Sequence, residues 1–163
     1  MKKYSIREIR MSETPLLEDF LYEAIFIPEG FAPPPRSIIK NEDLQVYVRD
    51  FGLSHDDKCL VAEADGKIVG AVWSRIVEDY GHIADGVPSI AISLYKEYRN
   101  RGIGTGLLHQ MIQLLRREGY EKVSLSVQKE NYASKMYLKA GFDVLRETEE
   151  EYIMVLDLCR NIK

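Results

Sequence analysis

The strongest constraint on the fold is an amphipathic stretch that begins among three glycines in alternate positions. From Gly104 to Glu118 apolar residues recur at steps of three and four with polar residues between them, which predicts a helix with one buried face. The apolar segment Val87 to Leu94, which precedes the glycines, predicts a strand. The chain therefore contains a strand, a glycine-rich turn and a helix in succession. The apolar face of such a helix needs a sheet to pack against.

Sequence periodicity also predicts the elements on either side of this unit. Two apolar runs rich in β-branched residues, Cys59 to Ala64 and Lys67 to Val77, are joined by Asp65-Gly66, which is typical of a two-residue hairpin turn. The other predicted strands are Tyr4 to Arg10, Lys122 to Gln128, Phe142 to Glu147 and Tyr152 to Leu158. The other predicted helices are one that follows Thr14-Pro15 as N-cap and first helical position, Asn41 to Phe51, and Asn131 to Ala140. The order βααβββαβαββ predicts an α/β (α+β) fold in which helices cover one mixed sheet.

The composition is that of one globular domain. The 163 residues include 22 Lys and Arg against 26 Asp and Glu, a net charge of −4, and 45% are hydrophobic. No repeat or linker divides the sequence, so we expect a single domain over residues 1–163. The negative charge argues against nonspecific nucleic-acid binding, which needs a basic surface. No apolar run approaches the roughly 20 residues of a membrane-spanning helix and the N-terminal residues lack the apolar core of a signal peptide, so we expect a cytoplasmic protein that does not bind membranes.

The cysteines suggest no special chemistry. Cys59 and Cys159 are too few and too far apart for a disulfide framework or a metal-binding CxxC pair. We expect both to be buried thiols and predict no metal. Both lie far from the glycines in sequence, so neither is an obvious carrier of a covalent intermediate.

The segment from Pro28 to Arg36 contains four prolines and a glycine, a composition that neither a helix nor a central strand tolerates. It is predicted to be a loop. Two roles are open for it, a plain connector or a flap over a substrate cleft.

The glycine-rich turn is suited to bind a diphosphate. Without side chains at Gly102, Gly104 and Gly106 the main chain can approach a phosphate closely, and the N-terminus of the following helix adds partial positive charge. Arg99 and Arg101 add full charges and several donors. The spacing fits neither G-x-G-x-x-G of a dinucleotide site nor G-x-x-x-x-G-K-[ST] of a P-loop.

These residues resemble the GNAT superfamily of acetyl-CoA-dependent N-acetyltransferases. Arg99 to Gly104 matches the family's pyrophosphate motif [QR]-x-x-G-x-[GA], and Tyr98 is the aromatic residue usual before it. A later family signature is similar to Asn131, Tyr137 and Gly141-Phe142 here. The chain departs from the family pattern at Lys96, where proline is common, and in the segment from Pro28 to Arg36.

The resemblance implies a GNAT-like fold over the whole chain, with about six to seven mostly antiparallel strands and about four helices. It implies that the strand ending at Leu94 splays from its neighbour, so that its main chain can pair with the pantetheine arm of acetyl-CoA. The implied catalytic groups are Tyr137 as general acid and the Leu94 N–H at the thioester carbonyl. The implied residues for binding acetyl-CoA are Ile92, Leu94, Arg99, Asn100, Arg101, Gly102, Ile103, Gly104, Thr105, Gly106, Asn131 and Tyr137.

The implied reaction is direct acetyl transfer to a primary amine in a ternary complex, and several points stay open. The general base is one of Glu78, Asp79, His82 and Asp85, or a water molecule. The amine acceptor is not specified by these motifs, and a homodimer is possible. A noncatalytic acyl-CoA sensor is the alternative function, and a protein-interaction module that uses the proline-rich loop is a weaker one.

Overall fold

The computed structural model describes residues 3–159 and contains one seven-stranded sheet with the order β1-β2-β3-β4-β5-β7-β6. The strands are β1 (Ser5–Glu8), β2 (Lys58–Ala64), β3 (Lys67–Arg75), β4 (Ser89–Leu94), β5 (Lys122–Gln128), β6 (Asp143–Glu147) and β7 (Glu151–Asp157). Neighbouring strands pair antiparallel, apart from β4 and β5, which run parallel. The mixed, mostly antiparallel sheet of the sequence prediction is confirmed.

The α-helices are α1 (Leu16–Ala24), α2 (Glu42–Gln45), α3 (Ile103–Arg117) and α4 (Ala133–Lys139). Short 3₁₀ turns cover Met11–Glu13, Arg36–Lys40 and Lys96–Tyr98. Within the described part of the chain, no helix is both long and apolar enough to cross a membrane.

The sheet has a separate apolar core on each face. Because side chains alternate along a strand, Leu60 of β2 packs on the face covered by α3, and Val61 packs on the face covered by α1. On the α3 face, Leu107 and Met111 are completely buried, as the amphipathic pattern predicts. On the other face, Phe20 of α1 is completely buried in the second core. The two cores hold β2, β3 and β4 as a central support between helices.

The hairpin predicted at Asp65-Gly66 is confirmed. Both residues have left-handed backbone angles, with φ of 54° at Asp65 and 76° at Gly66, and they connect β2 directly to β3. These are the angles of the tight turn that suits the natural twist of two paired strands.

The start of α1 differs from the predicted cap. The Thr14 hydroxyl donates to the carbonyl of Met11 at 3.0 Å and caps no N–H of the helix, which begins at Leu16 after Pro15. Thr14 is instead the C-cap of the 3₁₀ turn at Met11–Glu13, so the predicted N-cap is wrong.

The helix predicted from Asn41 to Phe51 is mostly a series of turns, with one short α-helical segment, α2. Side chains of β3 take the carbonyls that a longer helix would use: the Trp73 indole donates to the Tyr47 carbonyl at 2.9 Å, and Arg75 donates to the carbonyls of Val46 and Arg49 at 3.1 and 2.7 Å. Tertiary hydrogen bonds thus replace the helical ones.

The expectation of two buried thiols holds for one cysteine. Cys59 in β2 is buried, and burial raises the pKa of its thiol. Cys159, which follows the end of β7, is exposed.

Arg75 and Asp57 form an almost completely buried ion pair, with an Nε–Oδ1 distance of 3.0 Å and side-chain exposures of 10% and 2%. We expect Asp57→Ala to lower the free energy of unfolding by about 3 kcal/mol, because it leaves a buried guanidinium without its counter-charge. Urea denaturation measures the loss. The exposed pair of Arg49 and Glu42 supplies the control: Glu42→Ala should lower the free energy of unfolding much less, because solvent screens the two charges. Equal losses in the two variants would show that burial of the Asp57 pair is unimportant.

Candidate active site

The parallel strands β4 and β5 diverge along their length. Their paired register consists of Ser89 opposite Ser124, and the Ser124 N–H donates to the carbonyl of Pro88 at 2.9 Å. Beyond this point the strands separate toward their carboxyl ends, as the resemblance implied. A cleft therefore opens within the sheet beside the last residues of β4.

The main chain of β4 presents hydrogen-bonding groups to this cleft. The Tyr95 N–H donates to the carbonyl of Val69 at 3.0 Å, so it points toward β3. Since successive residues of a strand point to opposite edges, the N–H and C=O groups of Leu94 and Ile92 point away from β3 and toward the diverging β5. The N–H expected to face a thioester carbonyl is thus directed into the cleft.

Gly70 of β3 leaves the space in which the Leu94 side chain lies. The two residues are directly opposite in the β3–β4 register, and a Cβ added to Gly70 would overlap the Leu94 side chain. The sequence does not mark residue 70 as part of the site, because a lone glycine in an apolar strand pattern gives no sign of the neighbour that needs its space.

A row of free main-chain N–H groups follows β4. Asn100 and Gly102 have left-handed angles, with φ of 62° and 82°, which turn the chain into α3. The first N–H bonded within the helix is that of Gly106, which donates to the Gly102 carbonyl at 3.1 Å. The N–H groups of residues 100–105 have no acceptor in the described structure. Together with the α3 N-terminus they form a site for an anion.

Glycine occupies the three positions of the turn for different structural reasons. Gly102 supplies the left-handed angle, and no heavy atom lies within 4 Å of a Cβ placed there. A Cβ at Gly104 would lie 3.5 Å from Leu94 Cδ1, which is a close but ordinary contact. A Cβ at Gly106 would lie 2.6 Å from the Tyr4 hydroxyl and 3.4 Å from Ile6 Cδ1, so this glycine leaves room for β1 and the residue before it to pack against α3. The glycine spacing therefore serves both the anion site and the core.

The two arginines of the turn lie in different surroundings. Arg101 is exposed, and its guanidinium carbon lies 5.2 Å from the centre of the Tyr98 ring. Arg99 instead bends back onto the protein, where its Nε donates to the Leu94 carbonyl at 3.0 Å and its Nη2 lies 3.3 Å from a Glu23 carboxylate oxygen. Arg101 is thus the more available of the two for a phosphate.

Tyr137 lies in the core beside the turn that ends α4. Its side chain is buried and meets the Phe142 ring edge-on, with 5.8 Å between ring centres. A tyrosine phenol is protonated at neutral pH, and burial raises the pKa of this one further. Among residues 3–159 no group hydrogen-bonds to this hydroxyl. The arrangement provides a protonated phenol without an internal partner.

Asn131 orders the start of α4. Its side-chain oxygen accepts the N–H of Ala133, the first helical residue, at 2.9 Å. Tyr132 is the residue immediately before the helix, so the Asn131 side chain caps the helix start from one position earlier in the chain.

The loop after α1 lines a groove of about 490 Å³ whose opposite side is Glu130, just beyond β5. The lining residues are Phe26, Ile27, Pro28, Glu29, Phe31 and Glu130. The loop is attached to α1 near Pro34, whose carbonyl accepts the Tyr22 hydroxyl at 2.6 Å, and the tip residue Phe31 is 71% exposed. Glu130 follows the carboxyl end of β5, and the loop follows α1, whose end bonds to Arg99 beside Leu94, so the groove lies between segments that adjoin the open end of the cleft. This position favours the flap over the plain connector.

The candidate bases differ in burial. Glu78 and Asp85 are exposed, whereas Asp79 is half-buried and accepts the hydroxyl of Ser89 and the N–H of Gly81. Burial raises the pKa of the Asp79 carboxyl. Ser89 is at the opposite end of β4 from Leu94, roughly 17 Å away at about 3.3 Å per residue, which is too far for direct proton transfer between groups at the two ends.

His82 is the fourth candidate base. Its Nδ1 is buried without a hydrogen-bond partner in the described residues, and its carbonyl accepts from Arg146 at 3.1 Å. These four residues cannot be ranked from the sequence, since their burial is a tertiary property.

Residues 16–142 match the acetyltransferase (GNAT) family. The N-alpha-acetyltransferase of Sulfurisphaera tokodaii is 29% identical over 174 aligned positions, which cover 96% of this chain and 95% of that protein. N-acetyltransferase family 8 member 7 of Mus musculus is 28% identical over 112 residues, 68% of this chain and 49% of the mouse protein, so the chain spans about half the length of that relative.

Among solved structures, the PaiA N-acetyltransferase of Thermoplasma acidophilum in complex with coenzyme A has a similar fold. It superposes with a TM-score of 0.70 at 19% identity over 96% of this chain and 99% of that one.

The Asp79 carboxyl predicts a pH dependence of stability. Its raised pKa means that the folded protein holds the proton more tightly than the unfolded chain does, so the contribution of this group to stability falls as the pH rises from its unfolded pKa, about 4, through the folded value. We expect Asp79→Asn, which stays uncharged at every pH, to raise the urea midpoint at pH 8 and to leave it unchanged at pH 3. The exposed neighbour supplies the control, since Glu78→Gln should shift neither midpoint. A lower midpoint for Asp79→Asn at pH 8 would contradict the burial argument.

Proposed function

This chain belongs to the acetyltransferase (GNAT) family, and we propose that it transfers the acetyl group of acetyl-CoA to a primary amine by direct attack in a ternary complex. The observation that carries the proposal is that two sets of main-chain hydrogen-bonding groups without a main-chain partner in the described residues follow each other along the chain. The cleft-facing edge of β4 at Ile92 and Leu94 leads directly into the free N–H groups of residues 100–105.

These residues fit acetyl-CoA. The free N–H groups and the N-terminus of α3 suit the diphosphate, and the Arg101 guanidinium adds a positive charge beside them. The open edge of β4 suits the amide groups of the pantetheine arm, which can pair with it as a strand would. When bound, acetyl-CoA supplies the activated acetyl thioester.

Two groups of this chain are proposed to assist the transfer. The Leu94 N–H donates a hydrogen bond to the oxygen that becomes negative as the amine attacks, and it is held in direction by the β3–β4 pairing. The Tyr137 hydroxyl, which is protonated at neutral pH, donates its proton to the departing thiolate. The amine loses its proton to water in this proposal, because Asp79 lies at the other end of β4.

Direct attack is favoured over a covalent acyl-enzyme. Cys59 is buried in β2 with a raised thiol pKa, and Cys159 follows β7. Neither belongs to the two strands that form the cleft, so neither is in place to carry the acetyl group.

The groove beside the cleft is proposed to admit the amine. Glu29 and Glu130 line it without an ion-pair partner in the described residues, and their charge attracts an ammonium group. Phe26 and Phe31 offer apolar surface for the rest of the acceptor. The name of the Sulfurisphaera tokodaii relative, which aligns over nearly its whole length, supports an α-amino group as the one acetylated.

Gly102→Glu tests the diphosphate site. We expect it to weaken acetyl-CoA binding at least tenfold in isothermal titration, because it adds a carboxylate among the donors meant for phosphate. Gly119→Glu is the matched control at the other end of α3, where φ is 88° against 82° at Gly102 and no atom lies within 4 Å of either added Cβ. It should bind acetyl-CoA as the unaltered protein does. Equal binding by the two variants, or no binding by the unaltered protein, would overturn the proposal.

Tyr137→Phe tests the proton donor. We expect kcat for thiol release, measured with a panel of primary amines, to fall roughly 100-fold, while acetyl-CoA affinity changes less than threefold. Tyr132→Phe, on an exposed residue of the same helical region, is the control and should leave kcat unchanged. An unchanged kcat for Tyr137→Phe would remove Tyr137 from the mechanism.

A further inference from the structure

We propose that Arg99 is a positioning residue, which fixes the cleft-facing carbonyl of Leu94 for the pantetheine arm and does not bind the diphosphate through its side chain. The inference rests on the proposed function, since it concerns how acetyl-CoA is bound. It differs from the interpretation of the glycine-rich turn given by the sequence, in which the positive charge of Arg99 binds a phosphate.

The directions of the guanidinium donors carry the inference. Nε donates to the Leu94 carbonyl at 3.0 Å. Nη2 donates to the main-chain carbonyl of Glu23 at 3.1 Å and lies 3.3 Å from its carboxylate. Because the guanidinium is rigid and planar, these contacts fix the orientation of the whole group. Arg101, two residues on, has no such bonds to the protein in the described structure.

Leu94 needs this support because β5 has diverged. In a continuous sheet the next strand would hold the outer N–H and C=O groups of β4, but β4 and β5 pair only near Ser89. Arg99 takes the place of that strand at the Leu94 carbonyl. A carbonyl oxygen has two lone pairs, so the same oxygen can still accept a bond from the pantetheine arm.

The neighbours of Leu94 are held from the same side. The Ser93 hydroxyl donates to the Phe20 carbonyl of α1 at 2.6 Å, and the Tyr95 and Phe20 rings are 5.0 Å apart. Glu23, in the last turn of α1, completes this set by orienting Arg99. The end of α1 therefore supports the end of β4, and the loop that lines the proposed amine groove begins directly after it.

Two thioesters separate positioning from phosphate binding. Acetyl-CoA carries the diphosphate, and acetyl-pantetheine has the same reactive arm without any phosphate. For Arg99→Met, which keeps bulk but has no donor, we expect KM to rise roughly fivefold to tenfold for both thioesters, with kcat within twofold, in the thiol-release assay. A smaller folded fraction would instead lower kcat and leave KM unchanged.

Arg99→Gln is the conservative variant. The glutamine Nε2 occupies the same place along the side chain as the arginine Nε, so it can still donate to the Leu94 carbonyl, although it has no charge. We expect KM for both thioesters to stay within twofold of the unaltered protein. Arg101→Gln is the contrast, for which KM should rise with acetyl-CoA and stay unchanged with acetyl-pantetheine.

The opposite pattern would overturn the inference. If Arg99 binds phosphate, Arg99→Met and Arg99→Gln will both raise KM for acetyl-CoA alone, and Glu23→Gln, which frees the guanidinium, will lower it. A fall in kcat with unchanged KM for Arg99→Met would also overturn it, by showing a purely structural role. If the unaltered protein consumes neither thioester with any amine, the proposed function itself fails, and the inference with it.

Discussion

The divergence of β4 from β5 is the constraint on which the rest of the site depends. Two parallel strands that pair at Ser89 and Ser124 and then separate leave main-chain groups of β4 without a neighbouring strand. Such groups are costly to bury without a partner, so the cleft must be filled by solvent, by a ligand or by side chains of the protein. Arg99 meets part of this need at the Leu94 carbonyl, and the proposed pantetheine site meets the remainder.

The cleft keeps its shape because both faces of the sheet are packed next to it. α3 covers one face with completely buried side chains, and α1 is bonded to the end of β4 on the other through Ser93 and Glu23. The buried pair of Arg75 and Asp57 anchors the chain between α2 and β2 to the same sheet. A rigid frame around an open edge is what a site needs if a single N–H is to face a developing charge.

Local patterns predicted most of the fold. The Asp65-Gly66 hairpin and the amphipathic helix α3 follow from turn chemistry and periodicity, which act over neighbouring residues. The predictions failed where distant groups compete for the same backbone. The helix expected at Asn41–Phe51 is largely replaced by turns, because the side chains of Trp73 and Arg75 donate to its carbonyls. Thr14 does not cap α1, because its hydroxyl donates to the Met11 carbonyl in the preceding 3₁₀ turn.

The sequence by itself determined the order of elements, the glycine-rich turn and the family, because each is written in residues that lie close together along the chain. Tertiary structure decided how those residues are used. It directed Arg99 toward Glu23 and Leu94, made Gly106 a packing residue against Tyr4, and placed Asp79 at the far end of β4 from Leu94. In each case the position of the interacting residue depends on tertiary structure, either because that residue is distant in sequence or because the strand sets its direction. Local patterns carry no information about such partners, since contact, burial and the direction of a hydrogen bond exist only after the sheet has formed.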